Sequence, residues 1–503
     1  MWNKAAILVA LWPGLALAQQ PLSAIDWLSN SIEATPIAMP PAQDNLGSSE
    51  IPEVVVTPLG GPSPDAAGLL ARSVTGFPRD LWSQSDPEDL ARLMRQAGNA
   101  ELPAIRALMF TLLLAEADAP TGLQRTGDFL QLRVDQLLRL GAVEQAEALM
   151  ERAGIDTPEL FQRAFDASLL TGNEDTRCAE IDRRPELSAR YPARIFCLAR
   201  RGNWSTAALV LGTAEVLGML TPAEDALLAR FLDPDLFEAD DMLAFPDVPT
   251  PLEFRMFEAI GEGMPTAPLP RAFAHADLRP VAGWKAQLEA AERLARAGAL
   301  SENSFLGIYS ARLPAASGGV WDRVEAVQRF ETALNRRDKQ AIIRTLPDAW
   351  NRMGEVGLQV PFARLFGTRL LDIDLNGAHE RQALEVALLS PGYEEAARRL
   401  PNITPTDAML RAIASGQMPD RPPSQPQLRA IYDGFTNDPS RQLQAMIDNG
   451  AIGEAILSAM AKLSQDLRSD PRQITEALSL FRAVGLVGTA RSVALQLLLL
   501  ETV

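Results

Sequence analysis

From about residue 68 onward, apolar positions recur at helical spacing. In DPEDLARLMRQAG (86–98), Leu90, Leu93 and Met94 fall on one face, and Asp86 followed by Pro87 reads as a capped helix start. LPAIRALMFTLLLAEA (102–117) is apolar almost throughout, the pattern of a helix covered on both sides. DFLQLRVDQLLRLG (128–141) and AVEQAEALMERAG (142–154) are predicted as consecutive helices broken at Gly141, and TPELFQRAFDASLLTG (157–172) again starts Thr-Pro-Glu and stops at Gly. Prolines then crowd into 231–254 and 263–280. Helical patterning resumes over 284–297, 320–338, 339–354 and 360–373, breaks at RPPSQPQL (421–428), and runs to the end of the chain.

The N-terminus has a different grammar. Residues 1–18 combine Lys4, a short apolar stretch and the small-x-small triplet Ala16-Leu17-Ala18, which predicts a signal peptide cleaved before Gln19 and delivery to the periplasm. PLSAIDWLSNSIE (21–33) places Leu22, Ile25 and Leu28 at amphipathic spacing with Trp27 beside them, so 19–33 is expected to form a short helix that docks on a partner or folds back on its own body. Residues 34–67, rich in Pro, Gly and Ser, are expected to be a flexible tether. The rest divides into an N-terminal helical body (68–230), a Pro-rich connecting region (231–283) and a C-terminal helical body (284–503). No later apolar run reaches the roughly 20 residues a bilayer span requires, so no transmembrane segment is expected in the mature chain.

Three stretches carry a family resemblance: LLRLGAVEQAEALMERAG (137–154), CLARRGNWSTAALVLGTAEVLG (197–218) and LEAAERLARAGAL (288–300). In each, a helix ends in Gly and the next opens with small residues, which lets adjacent helices approach closely. The tail SLFRAVGLVGTARSVALQLLL repeats this arrangement around Gly485. The layout resembles the tetratricopeptide and related helix-hairpin superfamily. That resemblance implies an all-α solenoid or superhelix, with two helical bodies in an arc, serving as a protein-interaction scaffold. Discrete α bundles are the alternative.

Composition narrows the function classes. With 47 Lys+Arg against 64 Asp+Glu the net charge is −17, which argues against a polyanion surface and so against nucleic acid. Only four of the basic residues are Lys. Two Cys and two His leave little material for a structural metal centre, and no cofactor is expected. In an exported chain Cys178 and Cys197 are expected to form a disulfide joining the loop after the 157–171 helix to the helix starting near Tyr191. No zinc helix, nucleophile elbow, phosphate loop or Ser-x-x-Lys pattern is present, and His275 and His379 read as satisfied or surface residues. No catalytic residue is assigned.

Two local stretches invite binding hypotheses. In LPAASGGVWDR (313–323), the turn Ser317-Gly318-Gly319 is either an anion nest or a plain helix entry that packs Trp321 inward; Arg312, Ser317 and Trp321 are the candidate ligand contacts. Asp372, Asp374, Asn376 and Gly377 match the first half of a calcium loop with Glu380 at the ninth position, but Ala383 stands where the bidentate Glu belongs, so a structural turn explains the same letters.

CLARRGNWSTA, LPAASGGVWDR and FRAVGLVGTARSVAL also resemble a family of exported helical proteins of unknown function from alphaproteobacteria, which implies periplasmic placement and assigns no particular activity. The expected function is a non-enzymatic periplasmic scaffold that binds an envelope protein or peptide and supports cell-wall or motility machinery. One rival is a peptidoglycan-acting enzyme, because the helical superhelix resembles the scaffold of periplasmic lytic transglycosylases; Asp240-Asp241 and Glu394-Glu395 would be its acids. The other is a small-ligand carrier with a closed apolar pocket between the two bodies.

Overall fold

The computed structural model describes residues 63–188, 190–237, 241–464 and 470–500. The expected signal peptide, the 19–33 helix with Leu22, Ile25, Trp27 and Leu28, and most of the 34–67 tether lie outside the described residues. The described chain is all-α, and its only β pairing is one isolated parallel bridge between Leu70 and Ala115.

Local signals account for most helix ends. Asp86 caps Pro87–Ala97, its Oδ1 accepting from the Glu88 and Asp89 amides at 2.8 and 3.2 Å. Thr221, Thr250 and Thr404 form reciprocal capping boxes with Glu224, Glu253 and Asp407, each followed by Pro. Gly141 ends Asp128–Leu140 at φ 86°, a conformation that favours glycine, and the next helix, Val143–Ala153, follows at once. The segment 339–354 forms one helix, Lys339–Gly354, despite Pro347 inside it.

Consecutive helices pack pairwise, as in Asp128–Leu140 with Val143–Ala153, Tyr191–Arg200 with Trp204–Val216, and Val320–Asn335 with Lys339–Gly354. The array then closes end to end. Pro87–Ala97 packs on Ile452–Leu463, and Pro103–Leu114 packs on the last helix, Val487–Leu499. Leu102, the N-cap of Pro103–Leu114, offers no side-chain cap; instead Gln496 Oε1 accepts from the Ala104 amide at 2.9 Å across the closure. Ser464 Oγ reaches the Ala97 carbonyl at 3.4 Å.

The cores are divided differently from the 68–230 and 284–503 bodies read from the sequence. One core runs from Phe77 through the Pro-rich region to Ala299 and takes in residues from Leu371 to Leu495. A second, local core spans Trp284 to Leu389. Helix Trp284–Ala297 serves both, with Leu294 facing the first and Leu288 the second. The Pro-rich region holds two short helices, Pro251–Ala259 and Ala274–Leu278, and Phe254, Phe257 and Phe273 are buried in the larger core. Prolines there set helix starts without detaching the segment.

The folded body also starts before residue 68. Pro64–Ala66 is a 3₁₀ turn, and buried Asp65 accepts from the amides of Gly127 at 2.7 Å and Leu130 at 2.9 Å. A carboxylate at the start of Asp128–Leu140 thus satisfies amides that the helix itself leaves open.

Candidate functional site

Cys178 and Cys197 are both buried, with their sulfurs at disulfide distance, 2.00 Å. Cys178 lies inside helix Glu174–Arg183, so the pair joins two helices, Glu174–Arg183 and Tyr191–Arg200, where the sequence reading placed a loop and a helix. The next element, Trp204–Val216, packs on Tyr191–Arg200 and on Pro222–Leu232.

Trp204–Val216 departs from the amphipathic pattern of a surface helix. Its sequence, WSTAALVLGTAEV, has no charged residue before Glu215, the pattern of a helix surrounded by protein. Yet it buries only Ala207 and Ala214, while Leu209 is 71% exposed and Val216 86%. Leu217 and Met219, just past its end, are exposed as well.

A groove of about 370 Å³ runs beside this helix, walled by Ile181, Pro185, Tyr191, Leu198, Leu209 and Val210. Its polar rim is fixed. Arg194 donates to the carbonyls of Ser188 at 3.0 Å and Pro185 at 2.8 Å, and Asp182 pairs with Arg201. Trp204, at the start of the same helix, contributes to a second hollow of about 850 Å³ with Phe196, Phe231 and Val281. The charged side of that hollow is neutralised internally, since buried Glu174 takes Arg255 at 2.9 Å and Arg200 at 3.4 Å, and Glu258 takes Arg279 at 2.5 Å.

Two carboxylates in neighbouring helices are held toward their neutral form. Burial pushes Asp166, in Pro158–Thr171, from 3.8 up to about 6, against the Gln162 hydrogen bond and the charges of Arg190 and Arg163. Burial pushes Glu147, in Val143–Ala153, to about 7, with Arg177 opposing and Glu151 and Glu144 adding to the rise. The folded state therefore holds these protons more tightly than the unfolded chain does. Stability from Asp166 is complete below pH 3.8 and is lost as pH rises to about 6. Asp166→Asn keeps an acceptor for the Gln162 amide, 2.9 Å away, and carries no charge. It is expected to gain about 2 kcal/mol at pH 8 and almost nothing near pH 3.5. Urea denaturation at the two pH values measures this, and an equal gain at both would refute the assignment.

The residues singled out in the sequence are dispersed. Trp321 is half-buried and packs against Trp284 with ring centroids 5.3 Å apart. The Gly318 amide donates to Asp322 Oδ1 at 2.8 Å, so the protein's own carboxylate occupies the turn where an anion would sit. The Arg312 carbonyl accepts from Gln328, and Ser317 is exposed. A hollow of about 640 Å³ beside this segment is lined by Leu313, Pro314 and Ala316 among others, but by none of Arg312, Ser317 and Trp321. In the calcium-like stretch, Asp372 pairs with Arg337 at 3.7 Å and Asp374 with Lys339 at 3.5 Å. Asn376 is the N-cap residue of Gly377–Leu388, the helix that contains Glu380. Among the described residues no group of three or more His, Cys, Asp or Glu side chains converges as a metal site would require. His275 is buried and its Nε2–H donates to the Gly141 carbonyl at 2.7 Å, and burial lowers its pKa. Glu394 pairs with Arg491 and Glu395 with Arg399.

By pattern 197–218 groups with the hairpins and the groove leaves no direct trace in the sequence, although the scarcity of charge in WSTAALVLGTAEV is a usable signal. No protein-family model, curated protein or solved structure matches the chain. The fold alone therefore defines its class, an all-α helix-hairpin array closed end to end.

Proposed function

We propose that the chain is a non-enzymatic helical scaffold of the periplasm whose Trp204–Val216 face receives an apolar helix or extended segment of an envelope protein. One observation carries this reading: a helix without a polar stripe exposes Leu209 and Val216 beside an apolar groove. An isolated solvent-facing helix is normally amphipathic, so the apolar outer side is accounted for by a partner. The signal-like residues 1–18 and the paired cysteines support an oxidising, exported setting.

Photocrosslinking residues at positions 209 and 216 of the full chain, in its native cells, test the docking face, with exposed Gln340 as control. The expected result is one shared envelope-protein adduct from positions 209 and 216 and none from 340. Adducts indistinguishable from the control, or adducts of the chain with itself alone, would overturn it. Release of soluble wall fragments by the purified protein would overturn the non-enzymatic part.

A further inference from the structure

Among the described residues, several largely buried arginines are matched with acids. Arg323 forks onto Glu292 with both bonds at 2.7 Å, Arg255 meets Glu174 and Glu258, and Arg177 meets Glu151 and Glu180. One recess instead gathers several arginines together. A hollow of about 370 Å³ is lined by Arg106, Arg139, Arg271, Arg293 and Arg296, with Pro270 and Ala297. The arginines come from four elements: Pro103–Leu114, Asp128–Leu140, the 3₁₀ turn Arg271–Phe273, and Trp284–Ala297.

Among the described residues none of the five forms an ion pair; their acceptors are neutral oxygens. Arg106 donates to the carbonyls of Ala100 and Arg296, and Arg139 to the Arg95 carbonyl and Gln136 Oε1. Arg293 donates to the carbonyls of Thr266 and Leu269, and Arg296 to the Val356 carbonyl at 2.6 Å. Arg271 has only a 3.5 Å contact with the Leu140 carbonyl. Gly141 makes room for it, since a Cβ there would lie 2.8 Å from Arg271 Cγ. Neutral carbonyls orient a guanidinium without cancelling its charge, and each guanidinium has five N–H groups, more than these bonds use.

Convergence has an electrostatic consequence. Burial, then Arg271 and Arg296, push Arg106 down to about 10, with only Glu101 opposing. Arg139 is lowered by burial, Arg95 and Arg271, and Arg271 by burial and Arg296. Arg293 is lowered by burial, Arg271 and Arg296, with Asp277 opposing. Five like charges held together in a chain of net charge −17 are a cost to folding that a counter-anion relieves.

We propose that this recess binds a small, multiply charged oxyanion, of phosphate or carboxylate type, through guanidinium edges left open by carbonyl anchoring. A singly charged anion would leave most of the positive charge uncompensated, which selects for two or more charged groups. Guanidinium forks match the paired oxygens of both phosphate and carboxylate. The site is independent of the apolar face around Leu209.

Titration calorimetry of the full chain at low ionic strength, with pyrophosphate and with citrate, tests this. Saturable binding is expected, weakening steeply with added salt. Arg271→Gln and Arg296→Gln are each expected to weaken it by about tenfold or more. Arg329→Gln, which removes an exposed pair with Glu325, is expected to leave it unchanged. In anion-free buffer Arg271→Gln is expected to melt no lower than the parent, because it removes repulsion, whereas loss of a purely structural arginine would lower the melting temperature. Binding of pyrophosphate alone assigns a phosphate-type ligand, of citrate alone a polycarboxylate, and of both a site that reads charge only. Absence of saturable binding by the parent chain, or equal affinity in both variants, would overturn the proposal.

Discussion

Replacing Arg133 with Met is expected to remove about 3–5 kcal/mol of unfolding free energy, because four carbonyls lose their buried donor at once. Arg133 lies on Asp128–Leu140 with 0% exposure. Its Nε donates to Leu113 O at 2.8 Å and its Nη2 to Ala115 O at 3.2 Å. Its Nη1 reaches the carbonyls of Asp65 at 3.2 Å and Ala67 at 2.7 Å. The side chain thus ties the first described turn and the end of Pro103–Leu114 to a third helix. Burial lowers its pKa to about 10, and Asp65 partly restores it. Met fills comparable volume but leaves four carbonyls without this donor. Lys has three donors on one atom and is expected to recover only part of the loss. Urea denaturation reads the effect, and hydrogen exchange should place the earliest loss of protection at the amides of Leu69 and Leu70, which donate to Leu114 O. A loss below about 1 kcal/mol for Arg133→Met would show that water replaces the guanidinium at little cost.

Gly453→Val is the second large effect, and it probes the closure. A Cβ at Gly453 would stand 2.4 Å from the buried Trp82 ring and 2.8 Å from Leu81 O. The Gly453 amide donates to that same carbonyl at 3.0 Å, so the backbone cannot retreat without losing a hydrogen bond. Overpacking against a ring that also contacts Phe129, with centroids 5.7 Å apart, is expected to cost about 3 kcal/mol or more. Trp82 fluorescence should report the opening directly. A parent-like midpoint would mean that the N-terminal segment shifts freely, and the closure would then contribute little to stability.

Both predictions rest on features that a scan of the sequence passes over. Arg133 occupies a polar position of an amphipathic pattern and reads as solvent-facing, since its partners at 65, 67, 113 and 115 show no local link to it. Gly453 reads as one more small residue near a helix start. The arginine recess was equally silent, because its members are spread from 106 to 296 and each alone looks like an ordinary helix-end arginine. The calcium-like stretch is the reverse case. Its letters are suggestive, yet two of its acids turn to separate basic partners, Arg337 and Lys339. The Ser317-Gly318-Gly319 turn behaves similarly, its Gly318 amide taken by Asp322 one turn away.

What the sequence by itself determined is the all-α class, many of the helices with their ends, and the cysteine pairing. Those signals act within about one helical turn: apolar residues at i, i+3 and i+4, a cap and Pro at the start, Gly in the left-handed region at the stop. Thr157, Thr221 and Gly141 each did locally what their residue types dictate. Only the tertiary structure decided that the array closes, that one core spans the Pro-rich region, that Trp204–Val216 is left largely exposed among the described residues, and that five arginines share a recess. These depend on which surfaces meet across separations such as 104 to 496, where pairing is chosen by shape and burial and leaves no periodic trace along the chain.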